Sequence, residues 1–213
     1  MNVKFEKERI YSLDVLRIMA TVCILFHHFQ QNSNLKFDTG INYFFGWFGF
    51  GYMVELFFVL SGFFTCKGFS NVKKMSFAQW IRKRYLRLIP LVALSVIVYE
   101  LLVLVYVSVL QDTYFGSTIN LWGALITALG VQDGWVFINP VINNPVWYIS
   151  VLLLCYIIFY FITYVSEKCN VTPVYGFVIM ILIGCAVGNY NINLPFLNLG
   201  ASRGYYSFFS GGY

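Results

Sequence analysis

From Leu88 to Leu110 the chain carries Glu100 as its only charged residue. An apolar run of about 20 residues is long enough to cross the ~30 Å hydrocarbon core of a bilayer as a helix. In lipid every backbone polar group must be satisfied internally, which leaves helices and closed barrels as the ways across. The pattern recurs: apolar stretches over 13–30, 43–66, 121–138, 146–165 and 174–190 alternate with short polar connections. The composition agrees, since 11% of residues are charged where soluble domains carry roughly 25%. The expectation is an all-α fold, a polytopic transmembrane helical bundle of about six to seven spans. It forms one integral-membrane domain over 1–213.

The segment 67–87 sets the direction. It holds Lys67, Lys73, Lys74, Arg82, Lys83, Arg84 and Arg87 and no acid, and the positive-inside rule assigns it to the cytoplasm as a loop. The N-terminus, two spans earlier, is then cytoplasmic too. This accounts for the net charge of +5 without nucleic acid. Span three, 88–110, is entered through Pro90, which suits a helix start. Asp14 and Arg17 interrupt the first apolar run, so it reads as a retained span and not a cleaved signal. The stretch 121–138 is broken by Gly123, Gly130, Asp133 and Gly134 and either crosses or re-enters. The segment 203–213 is apolar but too short to span, so the chain is expected to be incomplete at its C-terminal end.

The span 13–30 is apolar yet carries Asp14, Arg17, His27 and His28. At 100° per residue, Asp14, Thr21, His28 and Gln31 lie within about 60° of the direction of Arg17, whereas His27 points elsewhere. Ionisable groups at membrane depth are costly and mark functional sites. Two readings stand side by side. In one, His28 is a general base at the end of a polar stripe, with Asp14 pairing Arg17. In the other, Asp14 and Arg17 are interfacial anchors and the histidines close the far end of the helix.

Three more constellations carry chemistry. Arg84 and Arg87, at i and i+3, present two guanidinium forks on one helical face for phosphates, or simply a positive-inside signal. Glu55 precedes an apolar run that ends in Ser61-Gly62, which serves either a ligand or helix packing. Asn143-Asn144-Pro145-Val146-Trp147 is a helix break whose amides bind a sugar or satisfy broken backbone. Cys23, Cys66, Cys155, Cys169 and Cys185 lack metal or disulfide spacing and read as small apolar filler, and no metal is expected. There is no GxSxG elbow, HExxH or Walker loop.

Taken together, these residues resemble the membrane acyltransferase type 3 family. Arg17, ten residues and His28 look like its Arg-x10-His signature. Phe57-Phe58-Val59-Leu60-Ser61-Gly62-Phe63 resembles its FFVLSGF segment, with Glu55 at the acidic position. Arg84-Tyr85-Leu86-Arg87 with Pro90 resembles its RxxR-proline, and Trp147-Tyr148-Ile149-Ser150 its Trp-x-x-Ser. Val151, Leu152 and Leu153 depart from a Glu found there in many members, and the family usually has about ten spans.

The resemblance implies a membrane O-acyltransferase in a bacterial plasma membrane. It would move an acyl group, acetyl foremost, from acyl-CoA to a hydroxyl of a glycan or other extracytoplasmic or lipid-linked acceptor. His28 would be the base, Arg17 would place the thioester, and Arg84 and Arg87 would hold coenzyme A phosphates. Glu55, Ser61, Asn144 and Trp147 would line substrate. A transporter of a small solute or glycan intermediate, or an inactive accessory membrane subunit, would show similar spans.

Overall fold

The structure is a computed structural model that describes residues 10–33, 50–68, 75–111, 119–135 and 142–212. Among these residues it contains seven α-helices and no sheet. Two compact units, 1–57 and 58–213, are described in turn. Among the described residues, four helical stretches are long and apolar enough to cross a membrane: Tyr11–Gln30, Phe50–Lys67, Phe77–Leu110 and Asn144–Lys168. Among the described residues, four stretches of the expected six to seven spans therefore reach that length.

The first unit holds α1, Tyr11–Ser33, and a 3-10 turn, Phe50–Tyr52, that leads into α2, Met53–Lys67. Asp14 lies in the first turn of α1, where a carboxylate complements the helix dipole. Gly51 abuts α1: a Cβ there would sit 3.1 Å from Nε2 of His27, so the histidine ring occupies the room a side chain would need.

The second unit begins within α2 and continues with α3, Phe77–Val105, which a π turn extends to Leu110. Here the structure overturns a boundary. Ser76 and Gln79 form a reciprocal capping box, so the helix starts at Phe77 instead of Leu88. Arg82, Lys83, Arg84 and Arg87 therefore belong to a helix, not a loop, and Pro90 falls inside that helix instead of near its start. The stretch Phe77–Leu110 has 34 residues. At 1.5 Å per residue that is about 50 Å, well beyond the ~30 Å of hydrocarbon, so its basic first turns have length to spare.

Of the stretch 121–138, residues 121–135 are described, and they form one short helix and a turn, with no continuous helix through them. Helix α4, Leu121–Ala128, is eight residues long, about 12 Å. It ends where Gly130 and Gly134 adopt φ of +70° and +82°, a region glycine reaches without Cβ strain. The Tyr85 hydroxyl donates to the Leu129 carbonyl at 3.1 Å, tying the tip of α4 to α3. The chain then turns back. Thr127 donates to Oε1 of Gln132 at 2.8 Å, both side chains being buried. The Trp135 indole N–H donates to the Ser150 carbonyl, and the Ser150 hydroxyl donates to the Asp133 carbonyl, each at 2.9 Å.

The remaining helices are α5, Trp147–Lys168, α6, Val174–Asn189, and α7, Leu199–Ser210. Helix α5 is the centre of the unit: Ser150 to Cys155, Phe159, Thr163 and Ser166 are all buried. It runs antiparallel to α3, for the Tyr160 hydroxyl donates to the Met75 carbonyl at 3.2 Å and Asn143 Nδ2 to the Ser95 hydroxyl at 3.0 Å. An aromatic stack joins the helices, Trp80 on Phe159 at 6.1 Å and Phe159 on Phe177 at 5.4 Å between centroids.

Helix α7 includes most of the C-terminal segment that read as too short to span, and it is mostly buried, with Ala201, Tyr205, Phe208 and Phe209 in the core. Glycines set its distance from its neighbours. A Cβ on Gly184 would lie 2.8 Å from the Tyr206 nitrogen and one on Gly188 2.8 Å from the Ser202 hydroxyl, so these two glycines form a packing face for α7. On the other side, a Cβ at Gly62 would fall on the Phe208 carbonyl oxygen, and one at Gly211 on that of Val59. Helices α2 and α7 thus meet backbone to backbone.

Candidate functional site

In the first unit Arg17 Nη1 and Asp14 Oδ1 lie 3.5 Å apart, the i, i+3 pair expected on one helical face. Thr21, predicted on the same stripe, donates its hydroxyl to the Arg17 carbonyl at 2.9 Å and so is spent on its own helix. The rings of His27 and His28 lie 5.6 Å apart at 59°. His27 faces Gly51, as above. Gln30, which the stripe geometry passed over, is 1% exposed. The Gln31 side chain lies outside the described residues. Glu55 stands in the first turn of α2 and is half-buried.

In the second unit Ser61 sits on the α2 face next to Gly62. Its hydroxyl shares a hydrogen bond with that of Tyr148 at 3.3 Å. Phe58, one turn earlier, packs on Tyr148 at 4.6 Å and on Trp147 at 6.1 Å. The FFVLSGF segment and the start of α5 are therefore in contact. Ser150 is fully buried and holds the turn after α4, as described above. Asn144 is exposed, and its carbonyl accepts the Trp147 N–H. Asn143 makes the side-chain bond to Ser95 and takes φ +48°, so at this break one amide serves the backbone turn and the packing of α3.

Arg84 and Arg87 share a helical face but differ in setting. The Arg84 guanidinium lies 3.8 Å from the centroid of Trp80 and 4.8 Å from that of Tyr156. Its Nε is buried and has no hydrogen-bond partner among the described residues. Arg87 is exposed. One guanidinium is thus held in an aromatic clamp with a donor to spare, and the next is open to whatever approaches. On the same helix both carboxylate oxygens of Glu100 are buried without a partner among the described residues.

The four motif stretches lie in chain order along α1, α2, α3 and α5, and the profile of the acyltransferase 3 family, described as an acyltransferase domain, matches residues 10–213. The chain belongs to the acyltransferase 3 family. It is an integral membrane acyltransferase, with an acyl donor and an acceptor implied by that membership. No curated protein and no solved structure matches it.

The acyltransferase has two further polar residues that the motif reading passed over. The Arg203 guanidinium lies 4.8 Å from the centroid of Trp147. Asp133 is close enough to feel that charge: burial pushes its carboxyl above the ordinary range, while the Gly134 N–H and Arg203 pull it back. The signal was in the sequence. Asp133 is the only charged residue between Asp112 and Glu167, and Arg203 the only one after Lys168.

Proposed function

We propose that this acyltransferase moves an acyl group, acetyl foremost, from acyl-CoA to a hydroxyl of a glycan or lipid-linked acceptor on the extracytoplasmic side of a bacterial plasma membrane. Its N-terminus and the basic start of α3 face the cytoplasm. His28 is the general base: it takes the hydroxyl proton as the acceptor oxygen attacks the thioester carbonyl. The intermediate collapses, the C–S bond breaks, and the thiolate leaves and recovers a proton. Arg17, oriented by Asp14, places the thioester. Glu55 and Ser61 line the substrates, and Asn144 and Trp147 contact the acceptor.

The observation that carries the donor half is the unequal pair Arg84 and Arg87. A buried guanidinium nitrogen without an acceptor is costly, and a phosphate oxygen would satisfy it. The clamp of Trp80 and Tyr156 spares Arg84 the entropy of finding its place, and exposed Arg87 adds a second fork.

Labelled acyl-CoA tests this in membranes. Arg87→Ala should raise the donor KM by roughly tenfold to a hundredfold, the loss of a charge-assisted contact worth about 1.5–3 kcal/mol, with a smaller change in kcat. Arg84→Lys should do the same, because an ammonium cannot lie flat between two rings. Donor KM values equal to wild type in both variants would remove the phosphate role. Solute flux without acyl-CoA consumption would make the chain a transporter.

A further inference from the structure

Asp133 and Arg203 are each the lone charge of a long uncharged stretch, and the fold seats the Asp133 carboxylate against Gly200, three residues before Arg203 on α7, within reach of its charge. The meeting is constructed from several sides. Glycine at 200 leaves the space: a Cβ there would fall on the Asp133 carboxylate, which therefore seats against the first turn of α7. That turn is capped by Asn198, whose side chain accepts the Ala201 N–H at 2.9 Å, and a helix start favours a neighbouring anion. The Asp133 carboxylate also accepts the Gly134 N–H at 2.9 Å. Its backbone is fixed by the Ser150 hydroxyl, and Gly134 in turn accepts the Phe196 N–H at 2.7 Å. Arg203, one turn into α7 and three residues after Gly200, lays its guanidinium 4.8 Å from the centroid of the Trp147 indole.

We propose that Arg203, held by Asp133, is a positioning residue for Trp147, fixing the indole against which a polyhydroxylated acceptor stacks. The inference rests on the acceptor role given to Trp147 above. A guanidinium is flat, and laid on one face of an indole it restricts the ring through cation–π attraction. Phe58 holds the same indole from α2 at 6.1 Å. Trp147 is half-buried, and an indole face suits the C–H side of a sugar ring. Lysine keeps the charge of Arg203 and loses the flat contact. Asn at 133 keeps the shape and loses the charge that draws Arg203 into place.

The test uses the full chain in lipid nanodiscs, acetyl-CoA as donor, and methyl glycosides of glucose, galactose and mannose as probe acceptors, with free thiol as the readout. Arg203→Lys, Asp133→Asn and Trp147→Leu should each raise the half-saturating glycoside concentration by roughly threefold to thirtyfold, the range of a cation–π contact, while the donor KM stays at its wild-type value. Arg203→Lys combined with Trp147→Leu should be no worse than Trp147→Leu alone, because the arginine acts through that ring. Tyr205→Phe, which loses the hydroxyl bond to the Phe196 carbonyl in the same helix, is the structural control. It should lower Tm and leave the acceptor KM in place.

Acceptor KM unchanged in Arg203→Lys, full additivity with Trp147→Leu, or an equal rise in donor and acceptor KM overturns the inference alone. No saturable stimulation of wild type by any glycoside, with thiol still released, overturns the polyhydroxylated class and the inference with it. No thiol release from wild type sinks the functional reading itself.

Discussion

His28→Ala should abolish acyl transfer from labelled acyl-CoA, a drop of about 10²- to 10⁴-fold for the loss of a general base, and His27→Ala should cost far less. Neighbours on a helix point about 100° apart, so only one of two adjacent histidines can share the face of Arg17. Helical geometry chooses His28. The fold adds an independent reason, because the His27 ring takes up the space over Gly51 and serves the join between α1 and the turn before α2. The comparison should be made in membranes at matched protein levels, with Arg17→Ala alongside. Loss of the same size in His27→Ala and His28→Ala, or a larger one in His27→Ala, would mean that the active face of α1 has been misassigned.

Gly62→Ala should be the most damaging single methyl group in the second unit. Its Cβ would overlap the Phe208 carbonyl oxygen, and that backbone atom in the last turn of α7 has nowhere to go while Gly211, three residues on, meets Val59. The helices must separate, which loses the contacts of Phe208 and Phe58, both essentially fully buried. Overpacking of this kind costs about 3 kcal/mol or more, enough to remove most folded protein. Gly68→Ala is the control, since its nearest neighbour would be the Phe64 carbonyl oxygen at an ordinary 3.5 Å. Thermal denaturation in detergent should show a large fall in Tm for the first and none for the second. Equal melting curves would mean that α2 and α7 do not meet through this glycine.

Gly62 also shows what a sequence reveals and what it hides. That Ser61-Gly62 follows an apolar run was plain, and helix packing was one of its two readings. The partner was invisible, because α7 lies far along the chain and its closeness depends on two backbones with no side chain between them. Helix boundaries failed for a related reason. The segment 67–87 was assigned to a loop because charge suggests water, although the Arg84 and Arg87 spacing already suited a helical face, and the Ser76 and Gln79 cap starts that helix well before the apolar run. A helix of that length can carry its charged turns beyond the hydrocarbon. The stretch 121–138 was legible as broken from its glycines, and the direction of the turn needed Ser150 and Trp135. Asp133 and Arg203 stood out only as isolated charges. Isolation predicts that a charge will seek a partner and leaves the partner unnamed.

The turn after α4 and the connection between α6 and α7 contain little regular structure, yet their polar groups answer one another. The Phe196 N–H is given to Gly134, the Phe196 carbonyl receives the Tyr205 hydroxyl, and the Trp135 and Phe196 rings meet edge to face at 5.7 Å. Segments without helix are usually the first to trade their amide protons for deuterium. Here the Phe196 amide can do so only when α7 lifts from the turn, so its exchange should be slow and should keep pace with that of the α7 amides. A Phe196 amide that exchanges as fast as an open loop, while α7 stays protected, would show that the turn and the helix move apart independently. Measured in nanodiscs by mass spectrometry, that single amide becomes a clock for the opening of the surface around Trp147.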